Sequence, residues 1–405
     1  MLDCEASTTR RSLLGASATL AAWAHAPRFA FAAQGRDPRL VTIILRGALD
    51  GLSAIPPVGD PDYAGLRGDI ALSLGGDRPA LPLDAFFAVH PAMPNFARLY
   101  AARQALVVHA AATGYRQRSH FDGQDVLESG MPVPGRTESG WMNRVLESLP
   151  RGERIGQRGG LSIGATTPLI MRGKAPVLGW APQSLQRADE DTAARVLALY
   201  QHTDPKLAAA LSAGVATEGV ASRSGMTGKG PAGGVDYMKQ IAAGAAHIMA
   251  AEDGPRLAAL AFDGWDTHFN EGGATGALAR VLGGLDDSLA TFETVLGPVW
   301  KNTAILVMTE FGRTARVNGT TGTDHGTGTV AFLVGGAVRG GRVLADWPGL
   351  KPAQLHEGRD LAPTTDVRAL VKGVLADHLG LSPETMRKAV FPGSDAITPL
   401  RNLLV

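Results

Sequence analysis

Cysteine is almost absent. The 405 residues contain one, Cys4, close to the start. From residue 33 onward the chain therefore has no disulfide, no thiolate ligand and no cysteine nucleophile. Its stability must come from an apolar core, which a chain of this length can bury. Runs of like charge are missing too. Lys and Arg total 39 against 38 Asp and Glu, a formal net charge of +1. Without a basic stretch to follow a polyanion, a nucleic-acid partner is not expected. No apolar run reaches the roughly 20 residues of a membrane-spanning helix, so no stable membrane anchor is expected either. The chain carries no GxxxxGK[ST] phosphate loop and no dinucleotide fingerprint, and no G-x-S-x-G elbow stands at a strand end.

What is present begins with a leader. Thr9-Arg10-Arg11-Ser12-Leu13-Leu14 is a twin-arginine pattern, followed by an Ala-rich run over Gly15–Ala26 and small residues at Ala30-Phe31-Ala32. Residues 1–32 read as a bacterial export signal that is removed, with the mature chain, one domain over 33–405, starting near Ala33. The export machinery is then a partner during targeting, and the destination is periplasmic or secreted. The leader holds three basic residues (Arg10, Arg11, Arg28) and two acidic ones (Asp3, Glu5), so its loss takes the net charge from +1 to 0. Twin-arginine cargo folds before crossing, which suits a protein loaded with a metal.

Hydrophobic content of 45% with 51 glycines indicates a packed domain rich in loops. Apolar β-branched runs at Leu40–Leu45, Ala105–His109, Leu257–Phe262 and Thr303–Met308 read as buried strands of a parallel sheet. Helical patterns cover Pro91–Ala102, residues 120–129 ending at Gly130, Ser139–Leu149, Val235–Ala251, Thr275–Val299 and Thr365–Leu379. The helix over 91–102 is expected to make the 40–45 and 105–109 strands a parallel pair. Ser119 reads as an N-cap with Asp122 three residues on, a capping-box spacing. Residues 56–90 read as a long excursion. Short strands at 161–164 and 176–180 and a helix near 191–200 fall within 150–235, read as an insertion or cap beside the sheet, with 213–234 a flexible linker.

Three polar signatures crowd into Phe262–Thr329: DGWDTH (263–268), TEFGRT (309–314) and TDHGTGT (323–329). Two follow strand-like runs, and an open α/β sheet builds its site just past its strand ends. With the loops after the earlier strands they give the candidates Asp50, Ser119, His120, Asp122, Asp263, Asp266, His268, Glu310, Asp324 and His325. This is a set of oxygen and imidazole donors without sulfur, suited to one or two divalent ions (Zn, Mn, Mg or Ca) in an open catalytic site. Such a site polarises a phosphoryl or sulfuryl oxygen and activates a water or hydroxyl. Arg116, Arg118 and Arg313 could clamp the anion of a small ester substrate.

Seven blocks in order, LRGALDGLS (45–53), HPAMPNF (90–96), SHFDGQDVLESG (119–130), GW (140–141) and the three signatures above, resemble the domain-of-unknown-function family 1501. That family is similar to the alkaline phosphatase and sulfatase superfamily. The resemblance implies an α/β, alkaline-phosphatase-like three-layer sandwich with a mostly parallel central sheet and helices on both faces. By chain order it implies metal binding at Asp50, at Asp263 or Asp266 with His268, at Glu310, and at Asp324 and His325. It implies Ser119 as nucleophile, with His120 and Arg313 beside it. Two departures stand out. Glu310 is followed by Phe311 where the superfamily has Asp then His, which leaves open a one-metal site or one that binds without turnover. The C/S-x-P-x-R motif of sulfatases is absent around Ser119. A metal- or anion-binding role without hydrolysis, and a purely structural or export role, remain the alternatives.

Overall fold

Strand β1 (Arg39–Arg46, RLVTIILR) is buried along all but its last residue. Its side chains alternate between two cores: Val41, Ile43 and Leu45 face one, Leu40 and Ile44 the other. A strand covered on both faces needs apolar residues at every position, which is why the run is continuous. The computed structural model describes residues 37–149, 159–164, 166–182, most of 196–214 and 234–405. The leader and its cleavage site lie outside them.

After β1 come short helices α1 (Gly51–Ala54) and α2 (Tyr63–Arg67) and a small hairpin, β2 (Leu81–Pro82) with β3 (Ala88–Val89). Then follow α3 (Pro94–Ala101), β4 (Ala105–Ala112), α4 (His120–Ser129), α5 (Trp141–Ser148), β5 (Gly160–Ile163) and β6 (Val177–Trp180). The C-terminal half adds α6 (Gly234–Ala250), β7 (Leu257–Asp263), α7 (Ala277–Leu296), β8 (Thr303–Thr309), β9 (Thr329–Val334), β10 (Arg342–Leu344), β11 (Thr365–Asp366) and α8 (Val367–Leu379).

Among the described residues, the strands other than β2 and β3 form one nine-stranded sheet in the order β10-β4-β9-β8-β1-β7-β5-β6, with β11 beside β4. All pairs are parallel except those of β9, which runs antiparallel to β4 and β8. Helices α3, α6 and α7 pack on one face; α5 and α8 pack on the other. The architecture is the expected three-layer α/β sandwich. Two expectations change. β1 and β4 run the same way but are not paired, because β8 and β9 lie between them. Of the stretch 150–235, the described strands β5 and β6 extend the main sheet rather than capping it; the linker read at 213–234 lies almost wholly outside the described residues. Gly160-Leu161-Ser162-Ile163-Gly164 does spell G-x-S-x-G, but it is strand, not elbow, and Ser162 is buried.

α3 begins at Pro94 rather than Pro91, and Met93 at its N-cap offers no side-chain acceptor. Asp286 on α7 supplies it instead, accepting from the backbone N–H groups of Asn95 (3.0 Å) and Phe96 (2.7 Å). Since this carboxylate is buried, Asp286→Ala strands two donors and should cost about 1–3 kcal/mol, read as a lower urea midpoint.

Candidate metal centre

β1, β7, β8 and β4 all point their C-terminal ends to one edge, in register: Arg46 opposite Asp263, Leu45 opposite Thr309. The loops leaving these strands build the site. Gly47 (φ 121°) turns the chain after β1 hard against the β7 loop, where any Cβ would sit 2.5 Å from the Asp266 amide. After β4 the chain reaches Arg118, held at φ 58°, and α4 opens on His120. Gly123 lets α4 close on the β8 loop: a Cβ there would already lie 3.0 Å from the Phe311 ring and 3.2 Å from Glu310. The Phe311 ring stacks on His120 at 5.0 Å. A bridge between Arg313 and His325 brings in the last loop.

Three imidazoles are each held from behind by an acceptor. His120 Nδ1 meets Glu310 Oε1 at 2.8 Å, His325 Nδ1 meets the Arg118 carbonyl at 3.0 Å, and His268 Nδ1 meets Asp324 Oδ1 at 3.2 Å. Carbonyl and carboxylate oxygens only accept, so each Nδ1 carries a hydrogen; neutral His120 and His325 rings then turn a bare Nε2 forward, while His268 Nε2 faces a second carboxylate, that of Asp266. Those Nε2 atoms converge. His120 and His325 stand 2.9 Å apart, and Asp266 Oδ1 lies 3.1 Å from His268, 3.3 Å from His325 and 3.5 Å from His120.

Two imidazole lone pairs facing each other at 2.9 Å require a cation between them, a proton or a metal. A proton in that place would belong to His120. The Glu310 hydrogen bond raises the His120 pKa, while burial and then the charge on His120 lower that of His325. Donor atoms of His120, Asp266 and His325 all lie within 4.8 Å of one another. Two imidazoles and a carboxylate with one side open fit a catalytic divalent ion. The carboxylate behind His120 and the carbonyl behind His325 are the outer partners such ligands use.

The surrounding charges hold the carboxylates ionised. Burial alone would raise Glu310, but the bonds from His120, Gln124 and the Gly47 amide keep it below its usual range. Burial would likewise raise Asp266, and the Arg313 guanidinium pulls it down. Arg313 is buried, its Nε on the Ala48 carbonyl (2.8 Å), its Nη2 on the Gly47 carbonyl (2.7 Å) and on Asp266 Oδ1.

Residues 37–390 match the family described as "Protein of unknown function (DUF1501)". The chain belongs to that family. No curated protein sequence matches this DUF1501 protein significantly. The solved structures it is similar to in outline include these three. One is a phosphonate monoester hydrolase of Agrobacterium radiobacter (12% identity, 86% of this chain and 75% of that one, TM-score 0.35). Another is a protein in the alkaline phosphatase superfamily from Vibrio parahaemolyticus (13%, 75% and 61%, 0.33). The third is a sulfatase, PsFucS1, from Pseudoalteromonas (13%, 83% and 68%, 0.33). At these scores they carry no argument about activity, and the architecture is read from this chain's own sheet.

The DUF1501 protein gathers some expected residues and separates others. His120, Asp266, His268 and His325 meet at the centre, with Asp324 and Glu310 behind the rings. Expected as a ligand, Glu310 has its Oε1 taken by His120, Gly47 (2.9 Å) and Gln124 (3.1 Å), so it orients instead. Asp50 goes elsewhere: its Oδ1 caps α1 through the amides of Leu52 (3.0 Å) and Ser53 (3.1 Å), and its Oδ2 pairs with buried Arg67. Asp263 is exposed on a separate cleft of about 340 Å³ with Arg46, Tyr237 and Phe262. Ser119 caps α4 by backbone position only, without a side-chain bond, and Asp122 takes the Tyr115 hydroxyl (3.2 Å), so the capping box does not form. Arg313, expected to clamp an anion, is occupied by protein oxygens. Arg116 binds the Thr113 and Tyr115 carbonyls, and Arg118 binds Asp360 and Glu357.

Arg67, Glu271 and Gln124 were missed. Arg67 lies in the aperiodic 56–90 stretch. Glu271 stands alone just after the first signature, three residues beyond His268. Gln124 was the one with a signal, sitting four residues after His120 and hence on the same helix face.

Proposed function

We propose that this DUF1501 protein is an exported hydrolase of phosphate or sulfate esters that depends on a single divalent metal. The observation that carries the reading is the convergence of His120 Nε2, His325 Nε2 and Asp266 Oδ1, with both imidazoles locked as Nδ1–H tautomers. Two imidazoles per carboxylate suit zinc better than magnesium or calcium. A bound ion would supply Lewis-acid polarisation of the ester oxygen and a more acidic water or hydroxyl. The chain's own residues do the rest. Glu310 and the Arg118 carbonyl fix the rings, and Arg313 aims Asp266. His268, about 40% exposed and backed by Asp324, is placed to carry a proton or to serve as a fourth ligand. Ser119, adjacent in the chain to His120, is the candidate nucleophile. Phosphate esters come before sulfate esters, because Ser119-His120-Phe121-Asp122-Gly123 lacks the sulfatase motif. Export rests on the twin-arginine leader; among the described residues no helix is long and apolar enough to cross a membrane.

The test is turnover of a panel of aryl phosphates, phosphonates and sulfates by zinc-loaded mature protein. Ser119→Ala is expected to lower kcat by roughly 10²-fold or more while zinc stays bound. Full activity in that variant would remove Ser119 from the reaction. The engagement of Arg116, Arg118 and Arg313 with protein oxygens favours a second reading, a metal- and anion-binding protein without turnover. Zinc retained with no hydrolysis across the panel would select it.

A further inference from the structure

Beneath the metal centre lies a second polar cluster, fully buried and outside the ligand set. Asp50 with Ser53 at the start of α1, Arg67 at the end of α2 and Glu271 after β7 are all buried and come together from three different segments. Arg67 Nη2 pairs with Asp50 Oδ2, donates to Ser53 Oγ at 2.6 Å and stands 3.5 Å from Glu271 Oε1. Ser53 Oγ in turn donates to Glu271 Oε1 at 3.0 Å. The other oxygen of Glu271 faces the centre: Oε2 accepts from Thr267 Oγ1 (3.1 Å) and from Thr323 Oγ1 (2.6 Å). Thr267 stands between Asp266 and His268. Thr323 stands next to Asp324 and two residues before His325. The same two loops are joined along the backbone, Glu271 N to the Thr321 carbonyl at 3.0 Å and Thr323 N to the Thr267 carbonyl at 3.2 Å.

Charge counting fixes the state of this cluster. Two carboxylates share one guanidinium in a space closed to water. Both ionised, they would leave an uncompensated negative charge, which burial disfavours strongly. Asp50 has the direct ion pair and two amide donors, so the remaining proton belongs on Glu271, on the side facing Ser53 and Asp50.

We propose that Glu271 is the positioning residue of the metal centre, a neutral carboxylic acid that ties the Asp266–His268 loop to the Asp324–His325 loop and anchors both on Asp50 and Arg67. This rests on the metal-centre reading above and adds what holds its two loops together. The acid donates to Asp50 and accepts from both threonines on its other oxygen, a division that glutamine reproduces, with the Ser53 hydroxyl turning to Asp50 Oδ2 (3.4 Å), and that alanine does not. Burial, then repulsion from Asp50, pushes the Glu271 pKa up to about 8. A raised folded-state pKa gives stability that is full below the unfolded value and is lost as pH rises through about 8. The groups around Glu271 are Asp50, Arg67, the three hydroxyls and the buried Tyr63 phenol, whose pKa is pushed up to about 12, and none of them takes up the proton it loses.

The experiment compares wild type, Glu271→Gln and Glu271→Ala by zinc competition against a chromophoric chelator, and by thermal midpoint from pH 6 to 9. Glu271→Ala is expected to weaken zinc by roughly tenfold or more, and Glu271→Gln to restore most of that loss. The wild-type midpoint should fall from pH 6 to about 8 and level off above it, and the Glu271→Gln midpoint should fall less. Wild-type zinc affinity in folded Glu271→Ala overturns the proposal, as does Glu271→Gln behaving like Glu271→Ala. If wild type binds no zinc, the metal-centre reading fails by itself, and the midpoints alone decide the tie. A flatter Glu271→Gln profile upholds it, and parallel profiles overturn it.

Discussion

Replacing Arg67 by methionine is expected to lower the unfolding free energy by about 3–5 kcal/mol at pH 7, the cost of leaving a buried charge without its partner. Arg67 is wholly buried, and besides Asp50 and Ser53 its guanidinium satisfies the carbonyls of Thr314 (3.2 Å) and Ala315 (3.3 Å). Burial alone would raise the Asp50 pKa, and Arg67 holds it below the usual range. A depressed folded-state pKa means stability present above the unfolded value and lost as pH falls through the folded one. The variant has no such contribution to lose, so its deficit should shrink in acid. Urea unfolding at pH 7 and pH 3, below the ordinary Asp value of 3.8, measures both effects. Adding Asp50→Leu to Arg67→Met should recover part of the loss at pH 7, since a neutralised pair no longer carries a buried charge. A deficit under about 1 kcal/mol, the scale of an exposed pair, would contradict the network.

The second large effect is expected at Glu310. Glu310→Gln should weaken zinc roughly 10–100-fold while leaving the protein folded. Four donors face this carboxylate: His120 Nδ1, the Gly47 amide and Gln124 Nε2 on one oxygen, and the Thr309 hydroxyl on the other at 2.9 Å. An amide brings a donor of its own into that ring of donors and withdraws the charge that sets the His120 tautomer. The readouts are zinc competition and the near-ultraviolet circular dichroism of the folded protein. Unchanged zinc affinity would mean that Glu310 does not orient His120.

The strands at the centre of the sheet were legible because burial on two faces writes itself as an unbroken apolar run, as in LVTIIL and TAILVM. The direction of β9 was not. Its run reads like the others, and the short Gly/Thr-rich loop that turns it antiparallel leaves no mark in the strand. β10 and β11 are three and two residues long, too short for any periodicity. At the site, the signatures and the 119–130 block located the histidines, but not which carboxylate each would face. Asp263 and Asp266 differ by three residues, and Gly264 at φ 101° separates them, leaving one on the outer cleft and the other among the rings. Asp50 carries a metal-site signature in form, yet Arg67, 17 residues on, claims it. Side chains that meet across the sheet edge from unrelated segments, such as Glu271 with Ser53, follow from topology, which a linear pattern does not contain.

Metal content tests the central claim most directly. The mature protein would be purified without chelators beside the His120→Ala/His325→Ala double variant, and both analysed for divalent metals. The account predicts about one equivalent, with zinc foremost, in the wild type, and none retained in the folded variant. A folded wild type that holds no metal after dialysis against added zinc, or a double variant that keeps it, would contradict the assignment of His120, Asp266 and His325 as a metal centre.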